Sequence, residues 1–479
     1  LDMASAKATK LTDANLNANM GSPFSWYRDN QSLLVKMLPK NRPALIDAKK
    51  DLPTGPTVSS SDGKKSSNRT YQDLLKNKTD ETNFETLVTS ELYKLDLNGK
   101  ATLYKKADLY AGEGFSPDGN YILITTIKKP YSYIVPLSRF PMTSVVYDLS
   151  GKEVKVVNEI ALAEIMPKGF MATRTGKRSM NWRADLPATL SFAEALDGGD
   201  PANAVEFRDE VFLWNAPFTS NPTSLAKTKQ RYAGIVWGNV TTAILYDQWY
   251  DTRNEKTYLI NPSNPGQAPK VIFDRNSQDI YSDPGSFETV KNQYGRQVLA
   301  LENDTAFLIG QGHTKEGQFP FIDEFNMKTL KPKRLYQSTY KDKKESIFSI
   351  EDFKKGDVLV QIQSKSDYPN YFFRNIKKKN QLTQITDFKN PFESIKNVHK
   401  EVIKYKRKDG VELSGTLYLP AGYDTKKKEK LPLLIWAYPE EYKDKNSAGQ
   451  SSQNPNDFTF PYYGSFVYWV NKGYVILDD

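Results

Sequence analysis

Apolar residues in this chain come in short runs separated by polar turns, and one phrase recurs along most of its length: an aromatic or apolar residue, a polar turn, then an apolar strand. Its clearest copies are Trp26-Tyr27-Arg28-Asp29-Asn30 before Leu33-Leu34-Val35, Phe115-Ser116-Pro117-Asp118-Gly119-Asn120 before Tyr121-Ile122-Leu123-Ile124, and Trp182-Arg183-Ala184-Asp185 before Ala188-Thr189-Leu190. Weaker copies precede Ala243-Ile244-Leu245, Ala306-Phe307-Leu308-Ile309 and Val358-Leu359-Val360. Starts lie roughly 50 to 90 residues apart, the length of a four-stranded unit with insertions. Between copies lie strand-turn-strand pairs, at 144–154, 256–273 and 371–386. Six such units predict a β-propeller; a flat sandwich predicts neither the repeat nor this length. Residues 57–68, rich in Ser, Lys and Gly, read as a loop. The stretch 71–92 reads as a helix with Leu74, Leu75, Phe84, Leu87 and Val88 on its apolar side.

The pattern changes near Val398, which divides the chain into a propeller, 1–398, and a second domain, 399–479. The second domain opens with an antiparallel hairpin: Glu401 to Tyr405, the turn Lys408-Asp409-Gly410, and Leu413 to Pro420. The run from Leu431 to Tyr438 reads as a fully buried strand. Polar residues from Glu440 to Tyr463 connect it to a short helix, Ser465 to Gly473, and a second buried strand, Tyr474 to Asp479. Strand, connection, helix and strand make one crossover unit of a parallel α/β sheet. A sheet just begun has an edge and apolar faces to cover, so this domain is expected to be part of something longer.

Composition narrows the picture. The chain of 479 residues is 38% hydrophobic without a run long enough to span a bilayer. The net charge of +9 sits largely in lysine runs such as 377–379 and 426–428, in turn-like segments. These read as solvated loops; a nucleic-acid surface would need the charges on one face with aromatic partners. There is no cysteine, which excludes disulfides, thiol catalysis and cysteine zinc sites.

Several longer phrases carry a family resemblance. They are 114–120, Pro130 to Pro136 with Ser138-Arg139-Phe140-Pro141, Asn181 to Asp185 running through 194–200, and Trp436-Ala437-Tyr438-Pro439-Glu440-Glu441-Tyr442. In this order they resemble the prolyl oligopeptidase family of serine peptidases, and most of all its glutamyl endopeptidase branch. The resemblance implies a mainly β fold: a propeller of about seven blades, the first incomplete here, followed by the beginning of an α/β-hydrolase domain. It implies peptide or unfolded-protein substrates, no cofactor, no metal and no nucleic acid, and a periplasmic or secreted location, with a cytoplasmic one also compatible.

The family's serine sits in a Gly-x-Ser-x-Gly elbow, followed by an aspartate and a histidine. This sequence contains no such elbow, and its two histidines, His313 and His399, precede the hydrolase strands. The chain alone is therefore expected to be inactive, the missing segment belonging to the same polypeptide. The alternative is a propeller that only binds peptides or proteins. Tyr438 is the oxyanion-hole candidate implied by the resemblance. Arg183 and Arg139 are candidates for a substrate carboxylate, with Arg178 a rival; Arg183 could instead pair with Asp185. Asp197 and Asp200 could form a metal site, but read more simply as turn residues. Adjacent Glu440 and Glu441 read as solvated rather than as an acid–base pair.

Overall fold

The computed structural model describes residues 1–47, 49–50, 71–427, 429–438 and 440–478. The expected loop at 57–68, Lys428 of the second lysine run, Pro439 and Asp479 lie outside the described residues. The chain is mainly β, and four-stranded sheets follow one another along it. The first holds Phe24–Trp26, Ser32–Met37, Ser90–Asp96 and Ala101–Asp108. The second holds Tyr110–Phe115, Tyr121–Ile127, Met142–Asp148 and Glu153–Ile160, and the third Arg178–Trp182, Thr189–Ala195, Asp209–Asn215 and Thr223–Thr228. A fourth runs from Arg231–Asn239 to Lys270–Asn276, a fifth from Ser286–Phe287 to Lys331–Gln337, and a sixth from Lys344–Asp352 to Gln381–Gln384. In the first four and the sixth, the recurring phrase lies at the turn joining first and second strands, with Phe24 opposite Val35 and Phe115 opposite Ile122.

Burial explains why the phrase recurs. Two of the second strands are packed on both faces: Ser32–Met37 is buried throughout, and Thr189 to Ala193 likewise. They are accordingly runs of apolar residues rather than alternations. Fourth strands are polar and exposed, as in Gln381–Gln384 and most of Lys331–Gln337, where lysine blunts an edge.

Two compact units divide the chain. In the first (1–243, 260–269 and 291–298), consecutive sheets share apolar layers. Tyr27, Leu34, Leu92, Phe115 and Ile122 form one layer, with the rings of Tyr27 and Phe115 edge to face at 4.7 Å. Val146, Leu190, Phe192, Trp214 and Phe218 form the next. The expected helix is shorter than 71–92. It spans Lys78–Val88, capped by Asn77 and ended where the chain joins the first sheet, Leu92 pairing with Lys36. Phe84 and Val88 bury its apolar side against Tyr131 and Phe140.

The second unit (244–259, 270–290 and 299–478 of the described chain) packs the fifth and sixth sheets through Phe307, Ile322, Val358 and Val360. It also contains a mixed sheet of His399–Lys406, Glu412–Leu419, Val475–Asp478 and Leu433–Trp436, in that spatial order. The predicted hairpin is present from His399 opposite Leu419 to Lys406 opposite Glu412. Leu433–Trp436 and Val475–Asp478 run parallel, as the crossover unit requires. The connecting helix is a 3-10 turn, Phe466–Lys472, closed by Gly473 at φ +83°. One expectation is corrected: Leu433–Trp436 is not buried. Leu433, Ile435 and Trp436 are 54%, 60% and 52% exposed, because the strand is an edge with a neighbour on one side only.

Candidate functional site

Tyr438 lies two residues beyond Leu433–Trp436, at the carboxyl end of the parallel pair, where Trp436 is opposite Asp478. In open α/β sheets this end is where ligands bind, because the loops that follow parallel strands converge there. The side chain is 79% exposed, so nothing among the described residues covers it. Of the adjacent carboxylates, Glu440 accepts from the Tyr442 hydroxyl at 2.7 Å, whereas Glu441 is paired with Lys443 and lies 3.5 Å from Arg253. The two do not converge on one atom, so they form no acid–base pair. His399 lies 3.6 Å from Glu401, and burial pushes the His313 imidazole below its ordinary range.

Arg183 and Arg139 belong to the first unit. Arg183 is 3% exposed and makes a bidentate pair with Asp185, both bonds 2.7 Å, while its guanidinium lies 4.6 Å from the centre of the Trp237 ring. Its fork is thus spent inside the fold, as the alternative reading of this residue had it. Arg139, at the end of the 3-10 turn Leu137–Arg139, lies over the Tyr71 ring at 5.3 Å.

A denser ionic site surrounds Asp197, and the sequence reading missed it. The fully buried Asp197 carboxylate accepts from Arg231 at 2.7 Å, from Arg208 at 3.0 Å and from the Gly199 amide at 2.9 Å. Asp197 therefore faces guanidinium groups, and Asp200 caps its own turn through the Ala202 amide. Asp209, also fully buried, accepts from Arg231 and the Tyr232 amide and is paired with Arg178. Burial pushes the Asp197 carboxyl up, but the bonds from Arg231 and Arg208 outweigh it and hold the group below the usual carboxylate range. Arg174 stands beside this cluster on the loop between Glu153–Ile160 and Arg178–Trp182. The signal available in the sequence was five arginines between 174 and 231 in a chain whose cations are mostly lysine.

No family model matches the chain. It is 37% identical over 488 residues to a probable chloroplastic glutamyl endopeptidase of Oryza sativa subsp. japonica, an alignment covering 98% of this chain and 51% of that protein. Over almost its whole length the chain is similar to glutamyl endopeptidases. A second such protein, from Arabidopsis thaliana, is also 37% identical, covering 97% of this chain and 50% of its own length. The chain spans about half the length of the curated relatives it matches. Among solved structures, a prolyl endopeptidase aligns with TM-score 0.48 at 13% identity, covering 95% of this chain and 53% of the other. An acylaminoacyl peptidase of Pyrococcus horikoshii aligns with TM-score 0.44 at 12% identity, covering 96% and 59%. The resemblance to the glutamyl endopeptidase branch is upheld by these relatives, whose names place them in chloroplasts. No helix of the described chain is long and apolar enough to cross a membrane.

Proposed function

We propose that the chain is the propeller and first hydrolase strands of a serine peptidase that cleaves after glutamate. The observation that carries this reading is the 37% identity to glutamyl endopeptidases over almost the whole chain. On this reading the six sheets are blades of a propeller spanning 1–398, and residues 399–479 begin the α/β-hydrolase domain. The shared apolar layers between consecutive sheets support the first assignment, and the parallel pair Leu433–Trp436 and Val475–Asp478 supports the second. A serine supplied by the rest of the polypeptide attacks the peptide carbonyl to form an acyl-enzyme, and the Tyr438 hydroxyl donates to the oxyanion. The propeller restricts entry to peptides and unfolded segments. No cofactor, metal or nucleic acid takes part. A periplasmic or secreted location rests on analogy with exported bacterial members of the family; cell fractionation tests it.

A second reading, a propeller that only binds, is favoured by the lack of a Gly-x-Ser-x-Gly elbow in this sequence. A serine-directed fluorophosphonate probe on the natural, full-length protein decides between them. Covalent labelling at one serine is the expected result, and folded protein that stays unlabelled leaves the binding module.

A further inference from the structure

The loop that carries Arg174 is tied down closely. The Thr173 amide donates to the Gly199 carbonyl at 3.0 Å, and Arg231 Nε donates to the Met171 carbonyl at 2.8 Å. Gly199, at φ +78°, lets the two backbones touch: a Cβ there would lie 2.0 Å from the Thr173 carbonyl oxygen. Arg174 is thus held beside the ionic cluster, half-buried, yet among the described residues its guanidinium has neither a hydrogen bond nor an ion pair. The cluster has no acceptor to spare. Asp197 and Asp209 already serve Arg178, Arg208 and Arg231, and the Arg178 Nε is buried with no hydrogen-bond partner. Burial, and after it the charge of Arg178, push the Arg174 guanidinium below its ordinary value. A guanidinium that is partly shielded from water, reaches solvent at its tip and has no counter-ion is open to an arriving anion, which gains a charge-assisted pair there. The same loop exposes Ile165 (94%) and Phe170 (56%), apolar surface that a free inorganic ion would not use and a peptide would.

We propose that Arg174, backed by the positive charge of Arg178, is a specificity-determining residue that receives a carboxylate of a bound acidic peptide. The inference rests on the peptide-handling reading above and assigns the charge recognition within it to a residue that the sequence motifs do not single out. A planar guanidinium takes a carboxylate through two parallel N–H bonds, geometry that an amide of the same shape cannot match. The carboxylate could come from a glutamate side chain or from a chain terminus, and both offer the same two oxygens.

The test uses the full-length protein and three fluorescent, N-acetylated peptides of one sequence, with the bond after the central residue N-methylated to resist cleavage. One has central glutamate and a C-terminal amide, one glutamine and an amide, and one glutamine and a free C-terminus. Binding is read by fluorescence anisotropy, and fluorophosphonate labelling is scored on the same sample. The amidated glutamate peptide is expected to bind about tenfold tighter than its glutamine partner, as a charge-assisted bond allows, with Arg174→Gln bringing the two within twofold. If the free-terminus peptide instead shows the advantage and loses it in Arg174→Gln, the carboxylate is that of a chain end and the assignment of Arg174 stands. Should Arg174→Gln misfold by circular dichroism, Arg174→Lys, which keeps the charge and loses the fork, is expected to cut the preference at least threefold. Preference unchanged in both variants, or absent from the unmutated protein for both carboxylate peptides, overturns the proposal. Binding needs no nucleophile, so an unlabelled serine sinks the peptidase reading without deciding this one.

Discussion

Asp209 shows what one buried carboxylate does in this fold. Its side chain is fully buried and holds Arg231, Arg178 and the Tyr232 amide. Asp209→Ala leaves two guanidinium groups partly unmatched in a dry site, so a loss of about 3 to 5 kcal/mol in urea unfolding is expected. Lys10→Ala, which removes one half of an exposed pair with Asp13, should cost under about 1 kcal/mol; equal costs would contradict the account. The pH dependence follows from Asp197. Its folded pKa lies below the unfolded value, so the stability it contributes is fully present above about pH 4 and is lost as pH falls through the folded pKa. Tyr438 makes a different prediction. If the full-length protein is the peptidase proposed above, Tyr438→Phe should lower kcat by about 100-fold or more with little change in KM, since an oxyanion donor acts on the transition state. A kcat within twofold of the parent would remove Tyr438 from the site.

At the scale of elements, the turns were the legible part, because Asp, Asn, Gly and Pro dictate their own backbone locally. Five of the recurring phrases turned out to join first and second strands of their sheets. Helix and strand limits were less legible: the apolar pattern from Tyr71 to Leu92 runs across a cap, a helix and a strand, and only pairing with Ser32–Met37 separates them. The apolar run ending at Tyr438 states what the strand can bury, not whether a partner covers it, and most of it is exposed here. The same contrast applies to the candidate site. Arg183 and its partner Asp185 are two residues apart and could be paired on paper, whereas Arg231 reaches Asp197 across 34 residues of chain. Gly199 gives the element-scale test. Gly199→Ala should cost at least about 2 kcal/mol, since its methyl meets backbone at 2.0 Å. Gly198→Ala, at φ +68° with open space around it, should cost about 1 kcal/mol from backbone strain alone. Near-equal losses would mean that the loop yields freely, and with it the seat of Arg174.

Within the second unit, the segment from Glu441 to Phe458 lies along the sheets that precede it, and its bonds are nearly all polar. Asn276 donates to Asp444, Gln450 to Asp279, Asn454 to Gln318, and Lys344 pairs with Asp457. Apolar contact enters at its far end, where Phe458 packs against Tyr368 and Phe392. By contrast the hairpin 399–419 and Val475–Asp478 share a backbone ladder and the buried core of Tyr418, Val467, Val470 and Ile476. Half-buried polar bonds of this kind contribute about 1 kcal/mol each, and the charged ones weaken as the screening length falls below about 10 Å. The segment should therefore lift from the sheets at little cost while the hairpin stays folded, which is what admission of a peptide to a site at the end of Leu433–Trp436 would require. Amide hydrogen exchange on the full-length protein tests this directly. Raising salt from about 0.05 to 0.5 M should speed exchange across 441–457 several-fold and leave 412–419 unchanged. If both stretches respond alike, the segment is no separate element, and entry to the Tyr438 end must be sought along another part of the chain.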